Sequence, residues 1–175
     1  MKNLTMPYTE SGITIDLPEE IEFFCFENCE GYRMLSGYHF KEMDIGWYNP
    51  SEDILYLIEL KDFTSKNIRE KEIAKQVVFD LIKKSIDSIA MIMAVKADTP
   101  YSSFIRPCLP PSFKVSTSKI TIIHIINCSE DKKTDIQFLR DKFQEHFAAY
   151  KKLFAIKHCT VVSVEQAKKF LPVLK

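Results

Sequence analysis

Glu59 and Lys61 stand two residues apart at the end of an otherwise apolar run, DILYLIELK, over residues 53–61. Charge is uncommon inside a buried strand, and residues two apart in a strand share one face. This carboxylate and this ammonium therefore point the same way. Asp44 lies in the segment just before them, HFKEMDIGWY, residues 39–48. With Pro50 and Ser51 as central turn residues, Tyr48 pairs with Asp53, Asp44 falls opposite Leu57, and Glu42 falls opposite Glu59. Asp44 then shares the face of Glu59 and Lys61, one diagonal away. A one-residue slip would turn it to the other face. Two carboxylates and a lysine so placed suit hydrolysis of a phosphodiester. Asp44 and Glu59 offer hard oxygen ligands to Mg²⁺ or Mn²⁺, helped by the backbone carbonyl of Leu60. The ion would polarise the phosphodiester and acidify a water. Lys61 would orient that water or stabilise charge growing on the phosphoryl oxygens. The opposing reading is a structural ion pair at a strand end.

An acid-x-Lys spacing alone carries little, because it recurs at Glu130-Asp131-Lys132 and Asp131-Lys132-Lys133 in a polar loop. Only the Glu59 copy ends a core strand and precedes a helix. Cys25-x-x-x-Cys29 and His124-x-x-x-Cys128 lack the tight paired spacing of zinc sites. The four histidines, His39, His124, His146 and His158, are scattered and read as packed or surface residues. No glycine-rich phosphate loop is present, which argues against nucleotide hydrolysis of the P-loop kind.

Several elements must position the candidate site. Residues 39–48 and 53–61 form a hairpin around the Asn49-Pro50-Ser51-Glu52 turn. The second strand is apolar on both faces, as a covered central strand is. A long helix over 68–96 follows, with Asn67 as its cap, Glu70 three residues on, and Ala74, Val77, Leu81, Ile82 and Ile89 turned inward. A proline-bearing connection, residues 97–118, leads to a buried strand over 119–127, KITIIHIIN. Connections of that length are often functional, and its interleaved Tyr101, Phe104, Arg106, Phe113 and Lys114 could stack bases and meet phosphates or simply cover the core. Lys66, Arg69, Lys71 and Lys75 form a basic run at the start of the long helix. Thr134 with Gln137 opens a helix to about residue 154. A strand lies within 155–164, and Ser163 with Gln166 caps a short last helix. The N-terminal third is harder to read. Asp16-Leu17-Pro18-Glu19 suggests a helix or turn near 18–27, then a strand around 32–36.

The order predicts an α/β protein whose mixed central sheet is flanked by helices on both faces. At 175 residues with 46% hydrophobic content and four glycines, the chain suits one domain over 1–175 with no disorder signature. Lys and Arg balance Asp and Glu at 24 each. A protein that coats DNA generically would be basic, so nucleic-acid contact would come from a local patch. The N-terminus MKNLTMPYTESG has no apolar segment, and SIAMIMAV is too short to span a bilayer. The expectation is no membrane association. Five cysteines in no tight framework point to a reducing, cytoplasmic setting.

Asp44 in KEMDIGWY, with Glu59 and Lys61 in LYLIELKDF, resembles the PD-(D/E)XK, restriction-endonuclease-like, superfamily over about residues 39–127. That pattern has an Asp on one hairpin strand, a Glu/Asp-x-Lys on the next, then a helix and a further strand. The resemblance implies a restriction-endonuclease-like core and a Mg²⁺- or Mn²⁺-dependent nuclease acting on DNA, as a homodimer or in a larger complex. Asp44 and Glu59 would be the metal ligands and Asp44, Glu59 and Lys61 the catalytic set. It also implies a role for Gln76, in EIAKQVVFD, where some branches carry a helix glutamine. The chain departs from the pattern in having Met43 before Asp44 and no clear helix before the hairpin, where Glu19, Glu20 or Glu22 would have to supply a further acid. The alternative is a catalytically inactive protein of this fold that serves as a binding module.

Overall fold

A computed structural model describes residues 7–19, 21–65 and 70–175. Asn67 as a helix cap, Lys66 and Arg69 in the basic run, and Glu20 lie outside the described residues.

The chain opens with a small hairpin, β1 (Tyr8–Glu10) and β2 (Ile13–Ile15). Its two-residue loop, Ser11-Gly12, has positive φ at both positions, which matches the twist of a tight hairpin. Next come β3 (Phe23–Phe24), a 3₁₀ turn at Phe26–Asn28, and α1 (Glu30–Ser36). This reverses the expectation for the N-terminal third, since the strand falls in the phenylalanine run and the helix where a strand was expected. The reason lies in a partner far along the chain. Phe24 pairs with Gly46, and a Cβ on Gly46 would sit 2.4 Å from the Phe24 ring. The bare glycine makes the seat for that ring.

The sheet continues with β4 (Ile45–Asn49) and β5 (Ile54–Asp62). Then follow α2 (Lys71–Lys96), α3 (Ser102–Ile105), β6 (Lys119–Asn127), α4 (Lys133–Leu153), β7 (His158–Ser163) and α5 (Val164–Lys168). The order in the sheet is β3-β4-β5-β6-β7. β3, β4 and β5 run antiparallel, while β5, β6 and β7 run parallel. The sheet is mixed, as expected, and β6 is interior. Its isoleucines are buried on both faces.

Alternation along the strands divides the core in two. Leu55, Leu57, Ile120, Ile122, Ile126 and Val161 face a layer built from α1 to α4. Ile45, Ile58, Leu60, Ile123, Ile125 and Val162 face the β1–β2 hairpin, α5 and the C-terminal residues. Helix α2 buries Ala74, Val77, Leu81 and Ile89, with Ile82 half-buried. Helix α4 buries Ile136, Leu139, Phe143 and Phe147, a helical stripe. Ser163 and Gln166 form the reciprocal cap of α5, as their spacing predicts.

The segment expected as a strand over 39–48 is extended sheet only from Ile45. The Lys41 and Met43 amides are taken by side chains of α2. Asp87 accepts from Lys41 N–H at 2.8 Å and Ser88 Oγ from Met43 N–H at 2.9 Å. The 97–118 connection folds against the core. Phe113 is buried edge-on to Tyr48, Tyr101 donates to the Gly31 carbonyl, and Arg106 holds Asp98. Cys29 and Cys108, 79 residues apart, form a disulfide with their Cα atoms 5.5 Å apart. No local spacing announces a pair so distant. No helix among the described residues is long and apolar enough to cross a membrane.

Candidate functional site

The hairpin register decides which carboxylates meet. Ile45 pairs with Ile58 and Tyr48 with Leu55, two residues away from the register expected of a two-residue turn. The loop spans residues 50–53, and Asp53 takes a positive φ while its carboxylate accepts from the Tyr48 hydroxyl at 2.8 Å. A shift of two preserves the phase of the side chains. Asp44, one step before Ile45, therefore faces Glu59, one step beyond Ile58. Both look toward α2.

Glu59 is fully buried. Its Oε1 receives the Lys61 ammonium at 2.5 Å and the Lys84 ammonium at 2.7 Å. Its Oε2 has no hydrogen-bond partner among the described residues. Asp44 accepts the Leu60 amide on Oδ2 at 2.7 Å, and its Oδ1 lies 3.4 Å from Lys84 Nζ. One ammonium from the middle of α2 thus bridges the two carboxylates. With Glu59 ionised the cluster balances, two negative charges against two positive. Burial, then the Asp44 charge, pushes the Glu59 carboxyl up to about 7 against the pull of Lys84 and Lys61. Burial disfavours the Lys84 charge, but Glu59 and Asp44 overcome it and hold Lys84 above the ordinary lysine range. The attraction within the pair is thus visible at Lys84, while at Glu59 desolvation wins.

His124 on β6 pairs with Glu59 across the parallel ladder and is fully buried. Burial, with the Lys84 and Lys61 charges, pushes it down to about 3, so it stays neutral. Its Nε2 lies 2.9 Å from Ser85 Oγ, whose hydroxyl donates to the Leu81 carbonyl. The hydroxyl proton being committed, Nε2 carries the imidazole hydrogen and Nδ1 is a bare acceptor.

Sequence reasoning brings Asp44, Glu59 and Lys61 together, and the structure does the same. Gln76 is placed differently. It lies on the exposed side of α2 and bonds Asp80, which also holds Lys41 at 2.9 Å. Burial alone would raise the Asp80 carboxyl, but these bonds and the Lys41 and Lys61 charges keep it low. The residues that sequence reading missed are mostly on α2. Asp80, Lys84 and Ser88 recur every four residues, a polar line on one helix face. Together with Ser85 and Asp87 they interrupt the apolar stripe, which was the available signal.

By donor type, Asp44 and Glu59 suit a hard divalent cation, and the open Glu59 Oε2 is a buried acceptor of the right kind. The Leu60 carbonyl accepts from Ser11 Oγ at 3.1 Å. Among the described residues no group of three or more His, Cys, Asp or Glu is placed to hold a metal ion. A bound Mg²⁺ would therefore take its remaining ligands from water, backbone or phosphate oxygens. Against known proteins, no family model, no curated protein and no solved structure matches the chain.

Proposed function

We propose that this chain is a metal-dependent phosphodiesterase, a nuclease acting on DNA, built on a restriction-endonuclease-like core. The observation that supports this most is the meeting of Asp44 and Glu59 on one sheet face, with Lys61 beside them. Asp44 and Glu59 would hold Mg²⁺ or Mn²⁺, which supplies Lewis-acid activation of the phosphodiester and of water. Lys61 stabilises negative charge that grows on the phosphoryl oxygens. Asp44 is held in place by the Leu60 amide. The purified protein should cleave DNA with Mg²⁺ or Mn²⁺ and stop when chelator is added. Glu59→Ala should abolish cleavage with the fold retained.

One observation favours a second reading, a binding module of the same core without catalysis. The Lys84 ammonium already lies between the carboxylates and neutralises them, as a built-in counter-cation would. Calorimetric titration of Mn²⁺ separates the readings. Binding by the wild type that vanishes in Glu59→Ala and tightens in Lys84→Met supports the nuclease. No binding by the wild type, with Glu59→Ala and Lys84→Met both destabilised, supports the module. Breaking a buried pair from one side typically costs about 3–5 kcal/mol.

A further inference from the structure

We propose that the groove between α2 and α4 binds single-stranded DNA, with Phe79 and Phe138 stacking on bases and Lys71, Lys75 and Lys142 meeting phosphates. The choice of DNA rests on the nuclease reading above, although binding itself requires neither metal nor cleavage.

Phe79 and Phe138 are two of the large apolar side chains the fold leaves open, 59% and 49% exposed. They line opposite walls of one cavity of about 690 Å³. Among the described residues, Lys71, Lys75, Lys142 and His146 also line it, against Glu72 as the one acid. In a chain with zero formal net charge, three lysines to one glutamate make a local basic patch. Lys75 holds Glu72 and Lys142 holds Glu145, both at 2.8 Å. These pairs are exposed, and such pairs contribute little, so a phosphate can displace either carboxylate.

The position of the groove links it to the carboxylates. β5 and β6 are parallel; α2 follows β5, and α4 follows β6 after one 3₁₀ turn. Both helices therefore begin at the end of the sheet where Glu59 and Lys61 lie. The groove is lined by the first half of α2 and the middle of α4. Gln76 is part of its wall and bonds Asp80, which feels the Lys61 charge. A strand laid along the groove is led toward that end. A single strand is the form that fits, because unpaired bases offer their faces to phenyl rings while a duplex keeps them stacked. Lysines on flexible stems beside the rings follow a backbone without reading sequence.

The test uses the full chain, a fluorescein-labelled oligothymidine and excess chelator, with binding read by fluorescence anisotropy. Wild type should bind the single strand more tightly than a duplex of equal length. Phe79→Ala and Phe138→Ala, both at exposed positions, should each weaken binding about tenfold, within the usual range of a base–aromatic stack. Lys75→Ala should lower the salt dependence by about 0.7 in the log–log slope. The proposal is overturned by absent binding, by preference for duplex, or by binding that ignores both phenylalanine substitutions. It is also overturned if Phe79→Ala instead abolishes a self-association of the chain. Intact binding without cleavage counts against the nuclease reading alone. Cleavage with unaltered binding in the groove variants counts against the groove alone.

Discussion

Replacing Glu59 by Gln removes one titration and leaves shape nearly unchanged, so it isolates what the buried carboxylate does to stability. Its folded pKa of about 7 stands above the ordinary 4.5 because burial and Asp44 disfavour the charge. An acid raised on folding binds its proton more tightly in the native state, so its contribution is fully present below the unfolded value and is lost as pH rises through the folded one. The gap corresponds to about 3 kcal/mol. Between about pH 4.5 and 8 wild type should therefore lose about that much relative to Glu59→Gln, which carries no proton to release. Lys84 is held above the ordinary lysine range in the wild type and keeps Asp44 beside it in the variant, and His124 is common to both, so the difference between them reports Glu59. Urea unfolding at a series of pH values measures it, provided the slope with denaturant is shared. A difference that does not change with pH would refute the reasoning. A wild type that gains on the variant as pH rises would show that the Lys84 and Lys61 attraction outweighs burial, and that the carboxylate is depressed.

Gly46→Ala should destabilise the fold by roughly 1–3 kcal/mol in thermal or urea melts, the range for overpacking a core, because the new methyl would sit 2.4 and 2.6 Å from Phe24 ring carbons. Reduction of Cys29–Cys108, or Cys108→Ser, should lower the melting temperature, since the bond closes a span of 79 residues. A closed loop of that size is worth about 4.5 kcal/mol in the chain-entropy account, and an unchanged melt in reductant would mean the thiols are not joined in solution.

The chemistry-bearing face was legible because parity is robust. The expected pairing of Tyr48 with Asp53 differs from the observed pairing with Leu55, yet an even error keeps Asp44 on the side of Glu59. The interior place of β6 followed from its apolar character on both faces, and the α5 cap from Ser163 and Gln166 alone. What escaped depends on contacts between distant segments. Phe23 and Phe24 look helical or extended until Gly46 is known to lie beneath Phe24. Lys84 reads as an ordinary helix lysine until the roll of α2 on the sheet is known. The strand expected over 39–44 failed because its amides find Asp87 and Ser88 rather than a neighbouring strand.

Those two amides carry a consequence for dynamics. Met43 N–H is protected from solvent exchange by the hydroxyl of buried Ser88, and Lys41 N–H by the Asp87 carboxylate, rather than by a ladder of backbone carbonyls. Their exchange therefore follows opening between α2 and the segment before Asp44, while the amides of β5 and β6 follow opening of the sheet. In a protein where local units open at different free energies, Lys41 and Met43 belong with the helix, while Asp44, which accepts the Leu60 amide, belongs with Glu59 in the sheet. The step from Met43 to Asp44 is then the seam between the two units, and Ser88 is the bolt on its helix side.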